Sequence, residues 1–179
     1  HYGFSELLIK LFEAKFLPNA EACTNIISIT KSLGAYLNGV TDSVEDKILR
    51  TIQGIIEAMV RTNCYQTTSE GIHKTYLSFK LNSKKVPGLP LPLPYAEIFV
   101  YSNDFEAIHL RGGKVARGGI RWSDRREDYR TEALGLMKAQ MTKNSVIVPV
   151  GSKGAFYIKL NSAEFDKAEY FAKAVECYK

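Results

Sequence analysis

The chain has 179 residues, 45% of them apolar and 24% charged, with a net charge of +5, an ordinary composition for one globular domain or one domain with an appendage. No run approaches the roughly 18 consecutive apolar residues of a membrane span, and none joins a basic start, an apolar middle and a small-residue cleavage site, so a cytoplasmic protein without a membrane partner is expected. Three cysteines, Cys23, Cys64 and Cys177, show no CxxC spacing and indicate neither a disulfide framework nor a metal site.

Taken in chain order, Ala22, Ile26, Ile27, Leu33 and Leu37 follow Pro18 at helical spacing and predict a helix over residues 19–38, weakened by Gly34. A second helix is signalled by Ser43 as its cap and by Glu45 and Asp46 at the positive end of its dipole. Ile48, Ile52, Ile55, Ile56, Met59 and Val60 give that helix one apolar face. Residues 1–65 therefore read as a helical region that packs or oligomerises rather than one that carries chemistry. From Thr75 the period changes to two, Leu77, Phe79 and Leu81 alternating with Tyr76, Ser78 and Lys80, and residues 96–101 and 108–110 supply two more strands. The prolines of residues 86–94 remove ladder donors and favour an extended, stiff connector. A helix over 128–142 turns Ala133, Leu134, Leu136, Met137 and Met141 inward. A buried strand over 145–150, a short strand over 155–160 and a helix begun by Asn161 or Ser162 complete the series. The alternation predicts an α/β (α+β-like) fold, a helical N-terminal region packed on a mixed α/β layer over residues 66–179. His1 stands where a methionine would start a chain, and the helical pattern still runs at Lys179 without a stop signal, so a piece of a longer polypeptide is expected.

Charge is unevenly placed. Residues 111–159 hold eleven lysines and arginines against four acids, a local excess of seven where the whole chain carries five. Such a segment suits small anions, an anionic surface or nucleic acid. It lacks interleaved aromatics and any helix-turn-helix or RNA-binding signature, so nucleic acid is the weaker reading.

Within that segment, Gly118 and Gly119 between Arg117 and Arg121 would let a ligand approach the main chain, since glycine places no Cβ in the way. A tight hairpin turn with solvated arginines explains the same residues about as well. Lys143 stands between a helix and a strand. Lys153 lies in Gly151-Ser-Lys-Gly154, read as a turn at the carboxyl end of a strand, where ligands of open α/β sheets gather. Burial and neighbouring cations there would lower the pKa of the amine and suit it to act as a general base. A solvated surface lysine is the bland alternative. Neither G-x-x-x-x-G-K-[ST] nor G-x-G-x-x-G occurs, so the chain has no phosphate loop or dinucleotide fingerprint of its own.

Residues 108–156, with His-Leu-Arg-Gly-Gly-Lys-Val-Ala-Arg-Gly-Gly-Ile-Arg-Trp-Ser-Asp-Arg and Val-Ile-Val-Pro-Val-Gly-Ser-Lys-Gly, resemble the NAD-specific glutamate dehydrogenases, most closely their large-subunit bacterial branch. Weaker likeness reaches back through residues 48–50, 61–63, 76–80 and 96–101, covering the chain from about residue 43. The resemblance implies interconversion of L-glutamate with 2-oxoglutarate and ammonium, with NAD as hydride acceptor. By matching motifs, Lys143 looks like the lysine that holds the substrate α-carboxylate. Lys153 looks like the catalytic lysine that activates water for attack on the iminium. Arg117 stands where smaller members place a lysine for the side-chain carboxylate, keeping the charge and adding a planar fork. Two departures from the smaller enzymes are a slightly shorter stretch from Lys143 to Lys153 and Ala155 in place of a glycine. The family's catalytic aspartate and NAD domain would lie beyond Lys179, so the segment is expected to hold half a site, to be inactive alone, and to work with the remainder of the same polypeptide in a homo-oligomer. A noncatalytic anion- or nucleic-acid-binding module is the competing reading.

Overall fold

The computed structural model describes residues 1–18, 25–143, 150–160 and 165–179, Lys143 by its backbone alone. Cys23, the first part of the predicted 19–38 helix, nearly all of the predicted 145–150 strand and the helix start at residues 161–164 lie outside the described residues.

Three helices open the chain: α1 (Tyr2–Phe16), α2 (Ile26–Asn38) and α3 (Ser43–Ala58). Phe4 and Leu11 of α1, Ile29, Leu33 and Leu37 of α2 and Leu49 of α3 bury one another in a small core. Asp42, rather than Ser43, caps α3, its carboxylate accepting from Val44 N at 2.9 Å and Glu45 N at 2.8 Å. A carboxylate satisfies two orphan donors and also meets the positive helix end with a full charge, whereas the serine already sits inside the first turn. The expected apolar face of α3 is buried only in part, for Ile48 is 53% and Ile52 41% exposed. Met59 and Val60 leave the helix altogether and begin a strand.

That strand is β1 (Met59–Thr62), followed by β2 (Tyr76–Leu81), β3 (Ala96–Ser102), β4 (Phe105–Arg111), β5 (Ala116–Arg117), β6 (Ile120–Trp122) and β7 (Val150–Ile158). The sheet runs β1-β2-β3-β4-β7-β5, with β6 also on β7. Strands β1 to β4 and β7 pair antiparallel, while β5 and β6 run parallel to β7 along its other edge. The sheet is therefore mixed, as expected of an α/β layer.

Helix α4 (Tyr129–Lys143) covers one face, where Ala133, Leu134 and Met137 pack on Ile108, Leu110 and Ala155. Helix α5 (Lys167–Tyr178) covers part of the other, with Ala174 against Phe156 and Ile158. Arg130 of α4 reaches the buried Glu97 of β3 in a two-pronged pair, Nε to Oε1 at 2.9 Å and Nη2 to Oε2 at 2.7 Å. Such a fork gives direction as well as attraction, and it fixes where α4 sits along the sheet.

Candidate functional site

The sequence reading places Lys153 in a turn between two strands. The structure places it inside β7, one continuous strand from Val150 to Ile158. Glycines at 151 and 154 signalled a turn, yet both are held by pairing on two sides, which local glycine preference does not outweigh. On one side Lys153 faces Leu110 of β4. On the other, Arg117 pairs with Gly151 and Ile120 with Gly154. The stretch 117–120 thus lies alongside 151–154, and Gly119 O accepts from Gly154 N at 3.0 Å.

Glycine makes this approach feasible. A Cβ on Gly118 would fall 1.5 Å from Ser152 O, a separation no side chain survives. On Gly151 it would meet Gln140 Cβ at 2.7 Å, and on Gly112 it would meet Val150 Cγ1 at 2.7 Å and Met141 Sδ at 2.8 Å. The C-terminal end of α4 is thereby pressed onto the same junction. Lys143 closes α4 two residues after Met141, its backbone at the negative end of the helix dipole, where a lysine is favoured.

Gly119 differs from its neighbour. The nearest atom to a Cβ placed there is Lys153 Nζ, at 3.9 Å. The lysine ammonium therefore lies over the Gly118-Gly119 backbone, and the half-buried Lys153 and exposed Arg117 belong to one glycine-lined junction. The structure brings Arg117, Gly118, Gly119 and Lys153 together and sets the Lys143 backbone at the end of the helix beside them.

Glu132 and Ser123 hold the junction in place, and His109 borders it. Glu132 of α4 accepts from Ser123 Oγ at 2.7 Å and from Arg121 Nε at 2.9 Å, tying β6 and its following turn to the helix. Ser123 is buried, and its own N–H donates to Phe156 O of β7 at 2.7 Å. His109, which pairs with Gly154, is kept below the ordinary histidine pKa by burial first and by the Arg111 charge second. Glu132 lies nine residues from Ser123, and only the fold shows that they meet. Gln140 Oε1 is also buried at this junction, without a hydrogen-bond partner among the described residues.

At the junction Arg117 is exposed and Lys153 half-buried. The three described cavities are lined by other residues, one at the β1–β2 edge and two beside α5. Chemically the junction offers cations beside glycine main chain, an arrangement suited to carboxylates and to proton transfer at an amine. The N-termini of α3 and α5 are capped by Asp42 and Asp166, whose carboxylates would repel a pyrophosphate, and Glu132 stands in the first turn of α4. No group of three or more potential metal ligands occurs among the described residues.

Comparison with known proteins gives the same direction. The family model described as "Bacterial NAD-glutamate dehydrogenase, catalytic domain" matches residues 32–179. The NAD-specific glutamate dehydrogenase of Pseudomonas aeruginosa is 46% identical over 100% of the chain. That of Halomonas elongata is 46% identical over 99%, and that of Mycobacterium tuberculosis 42% identical over 96%. The chain spans 11% of the length of each of these curated relatives.

Proposed function

The chain belongs to the bacterial NAD-glutamate dehydrogenase catalytic-domain family, and from that premise we propose that it forms the substrate-holding half of an active site for the oxidative deamination of L-glutamate to 2-oxoglutarate and ammonium. In this reading Arg117 binds the side-chain carboxylate over the Gly118-Gly119 backbone, Lys143 binds the α-carboxylate, and Lys153 takes a proton from the attacking water. The observation that carries it is the parallel register of 117–120 on 151–154, with Lys153 Nζ 3.9 Å from the Cβ position of Gly119. The register sets the Arg117 backbone two positions from Lys153 along the paired strands, which supports a site for a dicarboxylate.

NAD would accept the hydride, and its binding residues are proposed to belong to the remainder of the longer polypeptide. In this reading a second domain closes over the exposed Arg117 and strips water from the amine. The segment, read as a helical part over residues 1–65 and a catalytic-domain part over 66–179, is proposed to be inactive alone. A cytoplasmic homo-oligomer is part of the same proposal. It rests on the resemblance and on the finding that no helix among the described residues is long and apolar enough to cross a membrane.

The deciding assay is ammonium-dependent oxidation of NADH with 2-oxoglutarate by the full-length protein, intact and as Lys153→Met. A general base contributes about 10²–10⁴-fold, so the variant should lose at least about two orders of magnitude in kcat with its circular dichroism unchanged. Arg117→Met should instead raise the KM for 2-oxoglutarate. Wild-type kcat in a folded Lys153→Met protein would remove the lysine from the chemistry.

A further inference from the structure

We infer that the opposite end of the sheet carries a second anion site, a cavity that takes the phosphate or carboxylate group of a small organic ligand. The cavity encloses about 490 Å³ at the β1–β2 edge beneath the C-terminal ends of α1 and α3, and its lining includes Lys15, Arg61, Lys74 and Lys80 but no aspartate or glutamate. That volume falls within the roughly 300–1,000 Å³ of small-molecule sites and far exceeds one inorganic anion.

The cations are not there to neutralise one another's acids. Lys15 donates to Ile56 O and Glu57 O at 2.8 Å and to Met59 O at 3.1 Å, so it closes the carbonyl end of α3, and Lys74 lies over the Tyr76 ring, 5.6 Å from its centroid. Arg61 pairs directly with Lys80 across the β1–β2 ladder, and neither makes an ion pair or hydrogen bond within the described residues. Like charges directly opposite in a sheet are destabilising, and an anion lying between them reverses the sign of that interaction. The ladder shifts register between Met59 and Arg61. A bulge of this kind re-aims the side chain that follows it, here bringing Arg61 opposite Lys80.

The floor of the cavity is rigid. Asn63 donates from Nδ2 to Tyr76 O at 3.0 Å and accepts from Ser78 N at 2.6 Å, which fastens the end of β1 to β2. Val60 and Ile98 add apolar wall for the carbon skeleton of a ligand. The site stands apart from the Lys153 junction and does not depend on the function proposed for it.

Calorimetric titration of the full-length protein with inorganic phosphate and, separately, with succinate at constant ionic strength in chloride tests the inference and tells which head group is preferred. Binding of at least one probe should weaken tenfold or more, about 1.4 kcal/mol, in Arg61→Gln and in Lys80→Gln. It should be unchanged in Lys10→Gln, an exposed cation of α1 outside the cavity. Because Lys80→Gln also relieves the repulsion, its thermal midpoint without anion should equal or exceed that of the wild type, so lost binding would not reflect lost folding. Absence of binding by both probes overturns the inference. So does binding that is insensitive to Arg61 and Lys80, or that follows only Arg117 and Lys153, and the last result would leave the proposed active site standing.

Discussion

Replacing three glycines by alanine, one at a time, separates close approach from mere small size. At Gly118 the new methyl would lie 1.5 Å from Ser152 O, whereas ordinary contact begins at 3.4 Å. The two chain segments must part by most of that difference, and the parallel pairing of β5 and β6 on β7 is what gives way. Forced overpacking costs about 1–3 kcal/mol, each kcal/mol lowering Tm by roughly 2–4 °C in a domain of this size. Displacing catalytic groups by about 1 Å costs on the order of 10²-fold in rate, so Gly118→Ala should lose both stability and kcat in the NADH-oxidation assay. Gly119→Ala meets nothing nearer than Lys153 Nζ at 3.9 Å. It should keep its Tm within about 1 °C and raise the KM for 2-oxoglutarate, since the methyl intrudes on ligand space alone. Gly135, exposed on α4 with nothing within 4 Å, should gain about 0.5–1 kcal/mol as alanine with unchanged kinetics. Equal Tm and kcat for Gly118→Ala and wild type would refute the packing argument and the site geometry drawn from it.

Two further outcomes follow from the packing of the sheet. Arg130→Met strands Glu97, whose side chain is 5% exposed, and should destabilise by about 3–5 kcal/mol in urea unfolding, whereas adding Glu97→Leu should recover most of the loss; a double variant no better than the single one would show that the fork matters for position and not for charge. His109, whose pKa lies below the ordinary 6.5 in the fold, leaves the unfolded chain to bind the proton first. Stability is then full above about pH 6.5 and falls as the pH drops from there toward the folded pKa, and His109→Gln should flatten that limb of Tm against pH. An unchanged slope in the variant would place the pH dependence elsewhere.

Helix α4 was legible because Ala133, Leu134 and Met137 recur at helical spacing, and the expected span of 128–142 differs from Tyr129–Lys143 by one residue at each end. Strand β2 was legible from its strict alternation. Helix α1 was passed over although Phe4, Leu7, Leu8 and Leu11 recur at helical spacing, the residues that pack into the N-terminal core. Strand β1 was hidden inside the apolar series of α3, since Met59 and Val60 continue the spacing of Ile55 and Ile56 and only pairing with β2 draws them away. Arg117, Gly118, Gly119 and Lys153 could be chosen from local chemistry. Their adjacency could not, because it depends on a parallel register between segments more than thirty residues apart. Glu132 gave no signal, and Ser123 stood in the motif without a role of its own until the turn after β6 folds onto α4.

Because residues 117–120 lie in fixed step with 151–154, the chain between β4 and β6 cannot change its length. One residue added or lost between Gly112 and Ala116 would shift the pairing by one and turn Arg117 to the opposite side of the strand. The exposed segment from Gln66 to Thr75, joined to itself by the Thr67–His73 bridge and by hydrogen bonds around Thr68, is under no such constraint. Insertions, tags or reporter peptides should be accepted in that segment, while even a single-residue indel in the glycine segment would dismantle the junction without altering any of the residues that compose it.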